Sequence, residues 1–120
     1  MRLAFRSVAA FNVATALWLT VMFLILRHPG FQLNAAITLG IAGFSAFAFS
    51  SARADAPGWM RGTALGGSLI LGAGGAWAIY QDLQPNADFE GFVLIIGAAW
   101  ILQGVAALLA LVTPAATAAR

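Results

Sequence analysis

Long apolar runs separated by short polar breaks set the pattern of this chain. Four such runs cover residues 8–26, 33–52, 62–80 and 89–112. Each is near the ~20 residues that a helix needs to cross a hydrocarbon core of about 30 Å. Polar and apolar positions do not alternate within them, as they would in the strands of a membrane barrel. Lipid offers the backbone no hydrogen-bond partner, so a continuous span of this length is expected to be helical. The breaks hold residues that stop helices and turn the chain: His28-Pro29-Gly30, Ala56-Pro57-Gly58 and Gln84-Pro85-Asn86. Proline fixes φ there and glycine supplies positive φ. Connections this short make successive helices antiparallel neighbours. The pattern therefore predicts an all-α integral membrane protein, a single domain over residues 1–120 with four transmembrane helices in an antiparallel up-down bundle. The first run follows Arg2 and Arg6 as a secretory signal would. It is too long for a signal core, and no small-x-small cleavage pattern follows Leu26, so it is expected to stay as a helix. The tail after Pro114 is small and polar-leaning and is expected to fray.

Composition reinforces the pattern. The chain is 62% hydrophobic and 8% charged, against roughly 25% charged in soluble domains. A fold of this size cannot hide so much apolar surface from water, so its expected solvent is lipid. Cysteine is absent, which excludes disulfides, thiolate metal sites and thiol nucleophiles. The net charge of +2 comes with no clustered basic face, so nucleic acid is not an expected partner. The basic residues apart from His28 are all arginine, and alanine and glycine abound. That composition fits a GC-rich bacterial genome, and the expected location is a bacterial cytoplasmic (inner) membrane.

Charge also gives an orientation. Arg2, Arg6, Arg53, Arg61 and Arg120 fall on one side of a four-span path, while Arg27 shares the other with Asp82, Asp88 and Glu90. The positive-inside bias then puts both termini and the middle loop in the cytoplasm. Trp59 is expected at that interface, Trp77 and Tyr80 at the opposite one.

The third run is rich in small residues. Gly62 and Gly66 form a GxxxG pair with Gly74 on the same stripe. Ala64, Ser68, Gly72 and Ala76 make a second stripe, and Thr63, Gly67 and Gly75 a third. Small residues let helix backbones approach closely in lipid. The third helix is thus expected to be the one most surrounded by protein, packed within the bundle, against another subunit, or both.

No Asp, Glu, Lys or Arg lies inside a span, where ion-coupled transporters usually keep one. The spans do carry Asn12, Thr15, Ser45, Ser68 and Gln103, all in the expected cytoplasmic half and within roughly two turns of one another in depth. These residues form a candidate polar layer. One reading is inter-helix glue, the other a polar funnel open to the cytoplasm. Ser and Thr can satisfy their own i−4 carbonyls, whereas the amides of Asn12 and Gln103 need partners. The outer acids read as capping groups: Asp88 as the N-cap of the fourth helix, Glu90 in its first turn, with Arg27 available to pair with one of them. Their spacing matches no metal loop, and His28 reads as a solvated turn residue.

Other four-span families do not fit. Small multidrug transporters need an acid in the first helix, and haem-binding membrane anchors need histidines within the spans; both are lacking here. No catalytic residue, metal ligand or cofactor site is expected. The expected function is non-catalytic: a membrane protein acting through helix–helix contacts, as an accessory subunit of a larger membrane complex or as a homo-oligomer. Its expected partners are the lipid bilayer and other membrane subunits or further copies of itself. The alternative is a small oligomeric transporter or channel with the polar layer lining its path.

Overall fold

The computed structural model describes residues 2–53, 55–85 and 91–112. It is all-helical, with α1 over Arg2–Leu26, α2 over Phe31–Ser51, α3 over Gly58–Asp82 and α4 over Gly91–Leu111. All four are long and apolar enough to cross a membrane, which points to a multi-pass membrane protein. α1 and α3, at 25 residues each, are each about 37 Å long. They outrun their apolar stretches because nothing in residues 2–7 or 58–61 breaks a helix. The expected caps at Asp88 and Glu90, the turn at Asn86 and the tail after Pro114 lie outside the described residues.

The breaks work as their residue types require. Arg27 ends α1 in the left-handed region at φ 53, and its N–H donates to Phe23 O at 3.1 Å. This is a left-handed C-cap, carried by arginine where glycine would be unstrained. Gly30, at φ 82, opens α2 and accepts from the Asn34 N–H at 3.1 Å. Pro57 opens α3, and its carbonyl accepts the Arg61 N–H at 3.2 Å.

The helices form a bundle in which α1 packs most extensively on α2 and α3 on α4; α1 also meets α4, and α2 meets α3 over a smaller contact. Contacts join early residues of one helix to late residues of the next. Arg6 lies over the Phe49 ring, Thr20 bonds Thr38, and Gly75 lies against Gly97. One end gathers Phe5, Ala48, Ala52, Ala64, Ala107, Ala110 and Leu111 into a core. That is the arginine-bearing end, with Arg2, Arg6, Arg53 and Arg61 around it.

Size is distributed inside out relative to a water-soluble protein. Among the described residues the core is mostly alanine with one fully buried bulky apolar side chain, Phe5, while Trp18, Ile25, Ile70, Ile95 and Leu109 face outward. Water would penalise that surface. In lipid there is no such penalty, and packing gains come from close backbone approach.

The closest approach is between α3 and α4. A Cβ on Gly75 would sit 2.5 Å from Gly97 O, and one on Gly104 3.0 Å from Ser68 O. Gly72 lies on the same contact, facing the Trp100 carbonyl. Gly67 accommodates the tip of the Phe44 ring from α2. The other small residues of α3 do not meet the bundle: a Cβ on Gly62, Gly66 or Gly74 would touch nothing within 4 Å, and Ala76 is exposed. Within the single chain the helix most surrounded by protein is α4, with 39% of its most apolar window buried against 22% for α3. The bundle itself therefore does not enclose α3 as expected, because a small residue permits close approach without requiring a neighbour. α4 presents Gly97, Gly104, Ala106, Ala107 and Ala110 inward.

Gly75→Ala should therefore destabilise the protein by about 1–3 kcal/mol, since backbone must give way. Gly66→Ala, which meets open space within the single chain, should leave the stability of the monomer within about 1 kcal/mol of wild type. Thermal unfolding in detergent compares the two, and equal stability would contradict the close α3–α4 contact.

Candidate functional site

α1, α2 and α3 each turn one narrow stripe inward, mostly at spacings of three and four residues, while α4 buries a broader face. On α1 the stripe is Phe5, Ala9, Asn12, Ala16 and Thr20. On α2 it is Ala35, Thr38, Ala42, Ser45, Ala48 and Ser51. Small side chains around the polar ones let the helices close to hydrogen-bonding distance. Each helix contributes one polar residue at the same depth, so Asn12, Ser45, Ser68 and Gln103 come together in the middle of the bundle, all fully buried.

Gln103 is the hub. Its Oε1 accepts from Asn12 Nδ2 at 2.7 Å and from Ser45 Oγ at 3.4 Å. Its Nε2 donates to Ser68 Oγ at 3.2 Å. One side chain of α4 thereby bonds all three other helices. Asn12 Nδ2 also donates to the Ala99 carbonyl at 3.3 Å, a second tie between α1 and α4. Two buried side-chain atoms, Asn12 Oδ1 and Trp100 Nε1, have no hydrogen-bond partner among the described residues.

Thr15 stands apart from this group. Its hydroxyl donates to the carbonyls of Phe11 and Asn12 in its own helix, at 3.1 and 3.3 Å. A second polar contact lies nearer the opposite end, where Thr20 Oγ1 and Thr38 Oγ1 meet at 2.7 Å between α1 and α2. The sequence reading missed this pair. Its signal is that each threonine lies about two turns from the same connection, Thr20 before it and Thr38 after it. The small residues assigned to helix packing divide likewise. Ser68 and Gly72 face α4, while Gly62, Gly66, Gly74 and Ala76 do not.

Chemically, the centre offers neutral amides and hydroxyls. The Ser45 and Ser68 hydroxyls have amide atoms for partners and no base to activate them as nucleophiles. Among the described residues no group of three or more His, Cys, Asp or Glu side chains comes together. Comparison with known proteins finds no matching family model, no matching curated protein and no matching solved structure.

The two ends of the bundle differ. At the arginine-bearing end, the Arg6 guanidinium lies 4.4 Å above the Phe49 ring, and Phe47 and Trp59 have ring centres 6.2 Å apart. Arg53 pairs with Asp55 at 3.3 Å, but both side chains are more than half exposed, so the pair contributes little. At the opposite end Trp77 and Tyr80 lie 5.9 Å apart, His28 and Arg27 are exposed, and Asp82 is buried. Amphipathic rings at both ends of α3 suit the two interfaces of a bilayer.

Gln103→Leu should cost about 1–3 kcal/mol, because it leaves buried donors on the other helices short of an acceptor. Thr15→Val should change stability by less than about 0.5 kcal/mol, since its hydroxyl serves only its own helix. Unfolding of both variants in detergent tests this ranking, and a neutral Gln103→Leu would remove the hub.

Proposed function

We propose that this chain is a non-catalytic membrane protein that works through helix–helix contact, as a homo-oligomer or as an accessory subunit of a larger membrane complex. The observation that carries this reading is the outward face of α3. Gly62, Gly66 and Gly74 present backbone with nothing within 4 Å of a Cβ built there. Ile70 and Trp77 also project from α3, but the glycines leave backbone open beside them, whereas the outward faces of α1 and α4 carry Leu17, Trp18, Ile25, Ile95, Leu102 and Leu109. Bulky aliphatic faces suit lipid, whereas exposed glycines suit another helix at close range. α2 adds Gly40 and Gly43, equally open. The alternative, a path through the bundle, has less support, because the polar side chains at its centre bond one another and are fully buried.

In this proposal the four helices run antiparallel, up and down. Support comes from the pairing of early with late residues between neighbours, as in Arg6 with Phe49 and Gly75 with Gly97. Both termini and the Arg53–Arg61 segment face the cytoplasm of a bacterial inner membrane, by the arginine bias. A cysteine replacing Asp55, whose side chain is 85% exposed, should react with a membrane-impermeant maleimide only after cells are opened. One replacing the exposed Pro85 should react in intact spheroplasts. The reverse labelling would invert the topology.

The contact itself is tested by Gly66→Cys and Leu102→Cys in native membranes. Gly66→Cys should give disulfide or bifunctional-maleimide adducts, two-chain if the protein is a homo-oligomer and of another mass if it is an accessory subunit. Leu102→Cys should stay monomeric. If Gly66→Cys remains monomeric too, helix–helix contact through this face is wrong.

A further inference from the structure

The seam between α1 and α4 opens outward into a groove of about 580 Å³. Ser7, Val8 and Phe11 of α1 form one wall, and Ile95, Ala98 and Leu102 of α4 the other. On α4 the lining extends from Leu94 to Leu102, about 12 Å along the helix axis. The floor is fixed where Asn12 bonds Ala99 O and Gln103. No lining residue is charged, and the one hydroxyl, on Ser7, already donates to Leu3 O at 2.8 Å. A hydrocarbon chain would strand no polar group there, whereas a polar solute would find no partner.

Charge gives the occupant a direction. The Ser7 end of the groove belongs to the arginine-bearing end of the bundle. Arg2 and Arg6 lie within about 8 Å of Ser7 along α1, comparable to the screening length at physiological salt, with the Arg6 guanidinium resting on the Phe49 ring of α2. Arg53 and Arg61 add positive charge to the same end of the bundle from around the α2–α3 connection, across from the groove. The described acid there, Asp55, is already paired with Arg53. The opposite end mixes Arg27 with Asp82. An anionic headgroup is thus drawn to one end only.

We propose that the α1–α4 seam binds one anionic phospholipid, with an acyl chain in the groove and the phosphate at the arginine-bearing end. A zwitterionic lipid supplies the same chain without the net charge, and free phosphate supplies charge without the chain, so neither satisfies both halves of the site. The site does not involve the open face of α3, so its test is independent of oligomerisation.

The experiment is thermal unfolding of the purified full chain in dodecyl maltoside, with native mass spectrometry of retained lipid. The additions are dioleoylphosphatidylglycerol, dioleoylphosphatidylcholine or inorganic phosphate. Phosphatidylglycerol should raise the unfolding temperature by several degrees and remain bound at one per chain, while the other two should do neither. Ala98→Phe, which fills the groove, should abolish the response. The double change Arg2→Gln and Arg6→Gln, at exposed positions, should weaken it and equalise the two lipids. An equal response to phosphatidylcholine in wild type overturns the proposal, as does a full phosphatidylglycerol response in Ala98→Phe. If Ala98→Phe does not fold, the arginine variant decides, and an undiminished preference for phosphatidylglycerol there overturns it.

Discussion

A primary amide carried into hydrocarbon must find partners, and Gln103 finds them on every other helix of the bundle. An unpaired amide there costs several kcal/mol, whereas each inter-helix bond in lipid gains only about 0.6 kcal/mol on average. The penalty for being unpaired is therefore the stronger constraint. It sets the rotation of α4 so that Gln103 points inward, and with it the rotations of α1, α2 and α3 that bring Asn12, Ser45 and Ser68 to meet it. Apolar packing alone would specify these rotations weakly, because lipid tails are as apolar as leucine.

The rest of the architecture follows from letting that centre close. Amide and hydroxyl side chains are short, so the backbones must come near. Ala9 and Ala16 flank Asn12, Ala42 and Ala48 flank Ser45, and Ala99, Ala106 and Ala107 surround Gln103. Between α3 and α4 the approach is tighter still, with Gly75 against Gly97 and Gly104 against Ser68. Bulky side chains displaced from these contacts collect on the outside, where the surrounding solvent accepts them. Where α1 and α4 diverge beside the Asn12 contact, the same bulky residues leave a groove instead of a seal.

Charge and aromatic placement add a polarity that packing does not supply. Arg2, Arg6, Arg53, Arg61 and Trp59 gather at one end, and Arg27, Trp77, Tyr80 and Asp82 at the other. Neither group enters the bundle centre, so orientation in the membrane and cohesion of the bundle are separable properties. Arg53 and Asp55 illustrate this, since their exposed pair can be altered without touching the hydrogen-bonded core.

Run length and the Pro-Gly breaks were enough to read four helices from the sequence, because lipid permits no other backbone conformation over such stretches. The buried amides of Asn12 and Gln103 were also legible, since their need for partners is independent of fold. The sequence could not say which face of each helix turns inward. Thr15 lies at the right depth but satisfies itself locally. Thr20 and Thr38 meet only because of how α1 and α2 are rotated. The small stripes of α3 were equivalent on paper, yet members of two of them, Ser68, Gly72 and Gly75, meet α4 while the Gly62–Gly66 stripe faces out. The enclosure of α4 was hidden for the same reason. Depth along a membrane helix is fixed by residue number, but rotation about its axis is fixed by the shapes of its neighbours, and those exist only in the folded bundle.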